Sequence, residues 1–285
     1  MIRKVVIPSA GLGTRLLPAT KQQPKEMLPI LLKGINGQLC LKPLLHATFE
    51  NLFNIGFREF FFITGRGKRS IEDHFTIDKD LLKYLRIRNN LDSMNELSSF
   101  FNKIRSSSII FINQSEPRGF GDAVFCSKFV INNDNFLVHA GDDMIISKDN
   151  HYLKKMMHVF EEKKAAAVFC VEEVSDPTKY GVVVGPELEE GIILVKKVIE
   201  KPSVPPSNLA VVGIYLFTPE IFETLEETPL DSYNEIQLTY SIQRLIEKDR
   251  PVYAIKLRSD ELRIDIGNPL SYFQAINNLV KVEIN

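Results

Sequence analysis

A short apolar run followed at once by a glycine loop constrains what this chain can fold into. Val5-Val6-Ile7 has the length and the β-branched content of a buried strand. The loop after it contains Gly11 and Gly13, whose backbone N–H groups can approach a bulky anion closely. Arg15 in the loop and Lys25 on a proline-flanked segment add two cations suited to phosphate. A strand that leads into such a loop predicts a cradle for a polyphosphate.

Three other interpretations of this loop compete. The dinucleotide fingerprint requires a third glycine that opens a helix, but Leu16 occupies that position and Pro18 follows. The P-loop ends in Gly-Lys-Ser/Thr, and the stretch Gly65–Arg69 has neither the spacing nor the hydroxyl residue. An ordinary turn is favoured for two glycines alone, but the added Arg15 and Lys25 favour a phosphate site.

The composition excludes several classes of protein. Of the 285 residues 44% are hydrophobic, which is enough to bury one large α/β domain or two small ones. The charges balance, 35 basic against 36 acidic, so nothing indicates binding to nucleic acid or to a membrane surface. No apolar run has the length of a secretory signal or a membrane span. Cys40, Cys126 and Cys170 lie far apart, which favours reduced thiols and a cytoplasmic setting.

Strand-like runs alternate with helical patterns through the first part of the chain. This alternation predicts an α/β fold with a Rossmann-like, mostly parallel mixed sheet flanked by helices. Ligands of such sheets bind outside the carboxyl ends of the strands, where the glycine loop falls. The predicted strands are Val5–Ile7, Glu59–Thr64, Ile109–Asn113, Asn135–Ala140 and Ala165–Val171, and the predicted helices are Leu44–Asn54, Arg69–Phe75, Asp122–Val130 and Asn150–Lys163.

The polar segment Ile77–Ser108 interrupts this alternation and contains no glycine or proline. Packing against its own domain is the favoured role of the segment, and a dimer contact or a flap near the site is the alternative. Apolar residues at three- and four-residue steps predict one amphipathic helix within it, with the stripe Leu91, Met94, Leu97, Phe101 and Ile104.

Short strands dominate from Tyr180 onwards, without a linker or an internal repeat. A hairpin-like connection at 185–191 is expected to join the first two of these strands. The predicted strands are Tyr180–Val184, Ile192–Glu200, Leu209–Phe217, Pro251–Leu257 and a further short one. Three helices are predicted: one that begins at Pro219-Glu220, one over Ile236–Glu247 and one over Pro269–Val282.

The opening loop resembles the signature of the sugar-1-phosphate nucleotidyltransferases. The matching stretches are AGLGTRLLPAT at Ala10–Thr20 and PKEMLP at Pro24–Pro29. Within that family the chain is most similar to bacterial and archaeal UTP–glucose-1-phosphate uridylyltransferases. The resemblance runs from Lys4 to the last helix. It implies a single domain over 1–285, with a nucleotide-binding part at about 1–145, a sugar-binding part at about 146–285 and antiparallel strands on the sugar-binding side.

The resemblance also implies the role of each site residue. Arg15 and Lys25 would hold the triphosphate and stabilise the leaving pyrophosphate, and Lys201 would aim the sugar phosphate. Mg²⁺ would bind Asp142 and Asp265; neighbouring side chains of a strand point opposite ways, so Asp143 should face elsewhere. The nucleotide-binding residues would be Ala10, Gly11, Gly13, Gln114 and Gly119, and the sugar-binding residues would be Gly181, Glu200, Lys201 and Gly213.

The base would be recognised through the Gln114 amide, which offers one donor and one acceptor to uracil or thymine. Backbone groups near Gly119 are expected to fix the amide, which makes CTP a poor substrate. The implied reaction converts UTP and glucose-1-phosphate to UDP-glucose and pyrophosphate in a homo-oligomer, a dimer or tetramer, with no nucleic acid or membrane partner. Glucose-1-phosphate thymidylyltransferase activity, a catalytically silent nucleotide-sugar-binding paralogue and a nicotinamide-dependent oxidoreductase remain as alternatives.

Four residues depart from the family pattern. Asn234 and Tyr240 stand where the family usually has Gly and Asp, which puts the shape of the sugar pocket in doubt. Ser9 replaces the commoner Ala, and Arg118 adds a charge beside the base loop.

Overall fold

An eleven-stranded mixed sheet forms the centre of the molecule in the computed structural model, which describes residues 2–284. Two separate two-stranded sheets complete the β-structure of these residues. In chain order the strands are β1 (Lys4–Pro8), β2 (Pro29–Lys33), β3 (Leu39–Pro43), β4 (Glu59–Thr64), β5 (Ser108–Asn113), β6 (Phe136–His139), β7 (Asp143–Ile146), β8 (Ala167–Glu173), β9 (Gly181–Val184), β10 (Glu187–Glu189), β11 (Ile192–Leu194), β12 (Lys197–Glu200), β13 (Leu209–Phe217), β14 (Val252–Lys256) and β15 (Leu262–Asp265).

Ten α-helices lie between and around these strands in the described part of the chain. No helix of residues 2–284 combines the length and the apolar character needed to cross a membrane. The helices are α1 (Leu44–Ile55), α2 (Arg69–His74), α3 (Lys79–Ile87), α4 (Leu91–Arg105), α5 (Gly119–Phe125), α6 (Lys128–Ile131), α7 (His151–Glu162), α8 (Glu220–Glu226), α9 (Leu238–Glu247) and α10 (Pro269–Ile284).

The order of the strands confirms the predicted fold class. Along the main sheet the order is β10-β11-β14-β8-β13-β6-β1-β4-β5. Strands β6, β1, β4 and β5 are parallel to one another, as βαβ units require. The long strand β13 runs antiparallel between β6 and β8, and the antiparallel pair β9–β12 attaches to it. The first half of the chain, which contains the glycine loop, thus forms the parallel part of the sheet, and the second half adds antiparallel strands to it.

The central strands of the sheet, such as β1, β4 and β6, are buried on both faces, which explains why they are continuous apolar runs. Val5 and Ile7 of β1 belong to a core with Phe49 of α1 and Tyr152 of α7. Val6 of the same strand belongs to the opposite core, which the helices α5, α8 and α9 cover. The period of two along β1 therefore sends neighbouring side chains into different layers.

The predicted helix Asp122–Val130 is wrong in its extent, because the structure divides it into α5 and α6. The break falls at Cys126 and Ser127. Ser127 is fully buried, and its hydroxyl donates to the carbonyl oxygen of Val124 at 2.7 Å. A serine hydroxyl that bonds to the backbone in this way competes with continuation of the helix.

The predicted strand Ile192–Glu200 is also wrong, because the chain changes partners within it. Val195 N donates to Val252 O, and the next amide, Lys196 N, donates to Val184 O. The chain thus passes from β14 to β9, and β11 and β12 are separate strands. The connection at 185–191 holds the short strand β10, which pairs with β11. The expected antiparallel pairing of the two predicted strands is confirmed only for Lys197–Glu200, which pairs with β9 as β12.

The segment 77–108 contains two helices where one was predicted. Helix α4 packs against the core through Phe100 and Phe101, both buried, and through Leu97 and Ile104. The expected stripe omits Phe100, and its first member, Leu91, is 50% exposed. Packing against its own domain is therefore what α4 does. The first helix, α3, has no buried residue, and only Leu82 of it packs, partly buried, against the core.

A cluster of charges joins α4 to α1 and β3. Glu50 on α1 accepts from Lys42 Nζ at 2.6 Å and from Lys103 Nζ at 2.5 Å. Glu96 on α4 lies 3.0 Å from the same Lys42 amine. Burial would raise the pKa of Glu50, but His46, Lys103 and Lys42 outweigh it and hold that pKa below its ordinary value of 4.5.

We expect Glu50→Gln to lower the free energy of unfolding by about 3 kcal/mol, because it takes the carboxylate from the ammonium group of Lys103 and leaves the buried Lys42 with Glu96 alone. The pKa of Glu50 is lower in the folded chain, so its contribution is complete above pH 4.5 and is lost as the pH falls through the folded value. Urea unfolding of both proteins between pH 3 and pH 8 measures this difference. The control Glu226→Gln breaks the exposed pair with Lys128 and should change little. If the difference in free energy of unfolding between wild type and Glu50→Gln were the same at every pH in this range, the lowered pKa of Glu50 would be contradicted.

Candidate active site

A cavity of about 440 Å³ lies at the carboxyl ends of β1 and β6, where the fold places a ligand. A larger polar cleft of about 830 Å³ lies near His151 and Glu190. We place the site in the smaller cavity because it contains the glycine loop and its cations. Its wall brings together eight of the predicted site residues, namely Ala10, Gly11, Gly13, Arg15, Lys25, Gln114, Gly119 and Asp142.

The glycine loop is held open as a turn rather than as the start of an α-helix. Gly13 has φ +65°, a left-handed conformation that suits glycine, and a 3₁₀ turn follows at Thr14–Leu16. The Gly13 carbonyl accepts a hydrogen bond from Thr20 Oγ1 at 2.7 Å. Arg15 extends across the site, since a Cβ added at Gly267 would lie 3.4 Å from its Nη2. The loop and the end of β15 therefore border the same space.

Lys25 and Asp142 form an ion pair on the wall of this cavity. Burial would lower the pKa of Lys25, but Asp142 and Glu26 outweigh it and raise that pKa. Burial would likewise raise the pKa of Asp142, and Lys25 holds it below its ordinary value. The turn that carries Lys25 is anchored by Glu26, which accepts from Lys68 Nζ at 3.0 Å. Glu26 and Lys68 are both buried.

Asp265 reaches the site through the pairing of β15 with β7. In this antiparallel pair Asp265 lies opposite Asp143, and Ile266 N donates to the carbonyl of Asp142 at 3.2 Å. The pairing therefore brings Asp265 opposite Asp143 and near the backbone of Asp142, although Asp265 does not itself line the cavity. Burial and the charge of Asp143 raise the pKa of Asp265; Arg263 opposes this, and Asp142 adds to it. The site thus holds a group of carboxylates that repel one another.

Asp143 lies outside the lining of the cavity, on the same face of the strand pair as its cross-strand partner Asp265. Its carboxylate receives both Nε and Nη2 of Arg263, at 3.0 and 2.7 Å. The same guanidinium lies 3.5 Å from Glu172 and 4.0 Å from Asp265. Sequence reasoning missed Arg263 and the pair Glu26–Lys68. The only signal of Arg263 and Glu26 was proximity along the chain to Asp265 and Lys25, and Lys68, 42 positions from Glu26, had no such signal.

Two of the predicted sugar-side residues, Gly181 and Glu200, line a second cavity of about 200 Å³, whereas Lys201 lies beside Glu200 outside the lining. Phe120 lines both cavities and joins them. Glu200 accepts a hydrogen bond from Thr239 Oγ1 at 2.9 Å, and its other oxygen lies 3.1 Å from Lys201 Nζ. The Lys201 side chain is 56% exposed, so it can turn from Glu200 towards a ligand.

The two sugar-side glycines permit close packing of neighbouring elements. A Cβ at Gly181 would lie 2.7 Å from Thr239 Cγ2. A Cβ at Gly213 would lie 2.7 Å from Ala140 Cβ, and the Gly213 carbonyl accepts from Ala140 N. Gly213 therefore supports the strand end that leads to Asp142, away from the lining of the two cavities.

The departures from the family pattern leave the backbone turn intact. Asn234 has φ +63°, a left-handed conformation that glycine adopts freely and that asparagine tolerates. Asp231 stabilises the turn by accepting from the amides of Tyr233 and Glu235 at 2.8 and 2.9 Å. Tyr240 is exposed on the first turn of α9, and Ser9 is buried beside the glycine loop.

Comparison with known proteins agrees with this geometry. The sequence profile described as Nucleotidyl transferase matches residues 4–282. The chain belongs to the nucleotidyl transferase family. A UTP–glucose-1-phosphate uridylyltransferase of Staphylococcus epidermidis is 39% identical to this nucleotidyltransferase over 279 residues, which are 96% of this chain and 91% of the relative. The resemblance found in the opening loop is therefore confirmed.

Solved structures show the same fold over nearly the whole nucleotidyltransferase. A UDP-glucose pyrophosphorylase complexed with UDP-glucose matches with a TM-score of 0.84 and 35% identity, covering 99% of this chain and 100% of that one. The UTP-bound UGPase of Acinetobacter baumannii matches with a TM-score of 0.83 and 31% identity, covering 98% of this chain and 93% of that one.

Proposed function

We propose that this nucleotidyltransferase transfers the uridylyl group of UTP to glucose-1-phosphate, giving UDP-glucose and pyrophosphate. The observation that carries the proposal is the pair of adjoining cavities that share Phe120. One contains the anion loop with Arg15 and Lys25, and the other contains Glu200 beside Lys201. The names of the relatives, which act on UTP and glucose-1-phosphate or were solved with UTP or UDP-glucose, support these two substrates.

The reaction needs positioning and charge neutralisation more than a protein nucleophile. An oxygen of the sugar phosphate forms a bond to the α-phosphorus of UTP. The bond from that phosphorus to the oxygen bridging the α- and β-phosphates breaks, and pyrophosphate leaves with the electron pair. Arg15 and Lys25 would bind the triphosphate and stabilise the negative charge of the leaving group. Lys201 would neutralise the attacking phosphate and direct it, while Glu200 would accept hydrogen bonds from sugar hydroxyls.

The carboxylates Asp142 and Asp265 fit a divalent cation that also binds substrate phosphates. Burial and neighbouring carboxylates raise the pKa of Asp265, and a cation would relieve that repulsion. Among residues 2–284 no group of three or more His, Cys, Asp or Glu is placed to hold a metal, so phosphates and water would complete the shell. Mg²⁺ commonly binds in this way. We propose Mg²⁺, which would screen the charge of the phosphates when bound.

We propose that the domain divides into a nucleotide-binding part at about 1–145 and a sugar-binding part at about 146–285. The walls of the two cavities support this division but also cross it. Glu235 from the second part lines the nucleotide cavity, and Phe120 from the first part lines the sugar cavity. The free thiols Cys40, Cys126 and Cys170 support a cytoplasmic setting.

A turnover panel of nucleoside triphosphates against sugar-1-phosphates tests the proposed reaction, with pyrophosphate release as the measurement. We expect UTP with glucose-1-phosphate to give the highest kcat/KM. Because dTTP differs from UTP by a methyl group and lacks the 2′-hydroxyl, it should be poorer by about 10-fold. A preference for dTTP would make this chain a thymidylyltransferase, and binding without pyrophosphate release would make it a silent paralogue.

Removing either proposed metal ligand should reduce turnover strongly. We expect Asp142→Asn and Asp265→Asn each to lower kcat by at least about 100-fold, because a main electrostatic stabiliser of the reaction is lost. Circular dichroism should show an unchanged fold. Asp134→Asn is the matched control, since that carboxylate lies at the opposite end of β6 and pairs with Lys4. Near wild-type turnover at ordinary Mg²⁺ in one of the two variants would remove that residue from the site.

The role of Lys201 is tested by the separate KM values of the two substrates. We expect Lys201→Ala to raise the KM for glucose-1-phosphate and to lower kcat, because the ammonium group both binds and directs the nucleophile. The KM for UTP should change much less. Lys179→Ala is the control, since that lysine lines the sugar-side cavity but pairs with Asp176. An equal rise in both KM values would assign Lys201 to the triphosphate.

A further inference from the structure

The amide of Gln114 is held in one orientation by two oxygen atoms of the protein. Its Nε2 donates to Asp122 Oδ2 at 2.7 Å and to the Gly119 carbonyl at 3.2 Å. An ionised carboxylate and a carbonyl only accept hydrogen bonds. The reversed amide would place its oxygen against two other oxygen atoms, so the hydrogen-bond network assigns the orientation. Both N–H groups of Gln114 are therefore used within the protein.

Asp122 lies behind Gln114 and is itself fixed. Its second oxygen, Oδ1, accepts from Arg118 Nη2 at 2.9 Å. The Asp122 side chain is only 4% exposed. Gln114 lines the nucleotide cavity, whereas Asp122 lies outside its lining. Asp122 therefore has no direct contact with the cavity and reaches it through Gln114.

The consequence for a ligand follows from the two atoms of the amide. With both N–H groups used, the carbonyl oxygen Oε1 is the atom of Gln114 that remains for a base, so the amide offers only an acceptor and not the donor and acceptor expected from the sequence. Uracil and thymine carry an N–H donor at ring position 3, which this oxygen can accept. Cytosine carries an acceptor at the same position, and two facing acceptors leave both groups unpaired. A site that leaves polar groups unpaired rejects a ligand strongly.

We propose that Asp122 is a positioning residue that makes the base site select uracil or thymine over cytosine. The inference rests on the proposed function, because it requires the cavity beside Gln114 to be the nucleotide site. The sequence predicted that backbone groups near Gly119 fix the Gln114 amide, but the Gly119 carbonyl accepts from only one of its N–H groups. The shorter of the two hydrogen bonds is the one to Asp122. Arg118, which departs from the family pattern, holds the carboxylate in place.

The experiment replaces the carboxylate with a group of the same shape that can also donate. In Asp122→Asn the new amide can donate to Gln114 Oε1, so the Gln114 amide can reverse and present its N–H groups to cytosine. We expect the ratio of kcat/KM for CTP to that for UTP to rise by at least about 10-fold. The KM for glucose-1-phosphate should stay unchanged. Calorimetric affinities for CTP and UTP, measured without the sugar phosphate, should shift in the same direction.

Glu116→Gln is the matched control, because it removes one negative charge from the same loop. Glu116 lies 3.8 Å from Arg118 and is 71% exposed, and Gln114 does not donate to it. In Glu116→Gln the ratio of kcat/KM for CTP to that for UTP should equal the wild-type ratio. If Asp122→Asn does not fold, Arg118→Gln decides the question, since it releases the carboxylate and should raise the ratio less strongly.

The outcomes separate this inference from the proposed function. An unchanged ratio in a folded Asp122→Asn, or in Arg118→Gln when the first variant does not fold, overturns the role of Asp122. An equal rise in Glu116→Gln also overturns it, because loss of charge would then be the cause. Wild-type preference for a purine triphosphate would overturn the proposed UTP reaction before any variant is compared.

Discussion

The ion pair between Lys25 and Asp142 is the contact on which the rest of the cleft depends. It joins the segment after the glycine loop to the strand end after β6. Burial opposes both charges, yet the pKa of Lys25 is raised and that of Asp142 is lowered, because each supplies the charge that the other needs. Glu26, which follows Lys25, pairs with Lys68, and Asp143, which follows Asp142, pairs with Arg263. In these pairs too, each charge removed from water has an opposite charge beside it.

These pairs explain how a chain without an excess of charge can bind highly charged substrates. In the proposed reaction a triphosphate brings negative charge to Lys25, and a divalent cation brings positive charge to Asp142. Each member of the pair would then exchange one compensating charge for another, so neither would be left buried alone. Glu26 and Arg263 keep their own partners and hold the backbone of the site in place during that exchange.

Much of the fold could be predicted because most strands are buried on both faces and therefore appear as bounded apolar runs. The bounds of β4 and β13 agree with the sequence prediction residue for residue. The errors lie where a tertiary partner interrupts a regular pattern. Ser127 ends α5 by a side-chain hydrogen bond, and the change of partner at Val195 divides one apolar run into two strands.

The sequence by itself determined the α/β class, the anion loop with its cations and, through the family motifs, the identity of the candidate site residues. These are local properties, carried by spacing and side-chain chemistry within a few residues. The tertiary structure decided which distant residues meet, because strand order and register set such contacts. Pairing of β7 with β15 places Asp265 opposite Asp143, the neighbour of Asp142 in the chain, and the turn from Gln114 to Asp122 sets the direction of one amide. Neither contact has a periodic signal along the chain, so only the folded structure contains it.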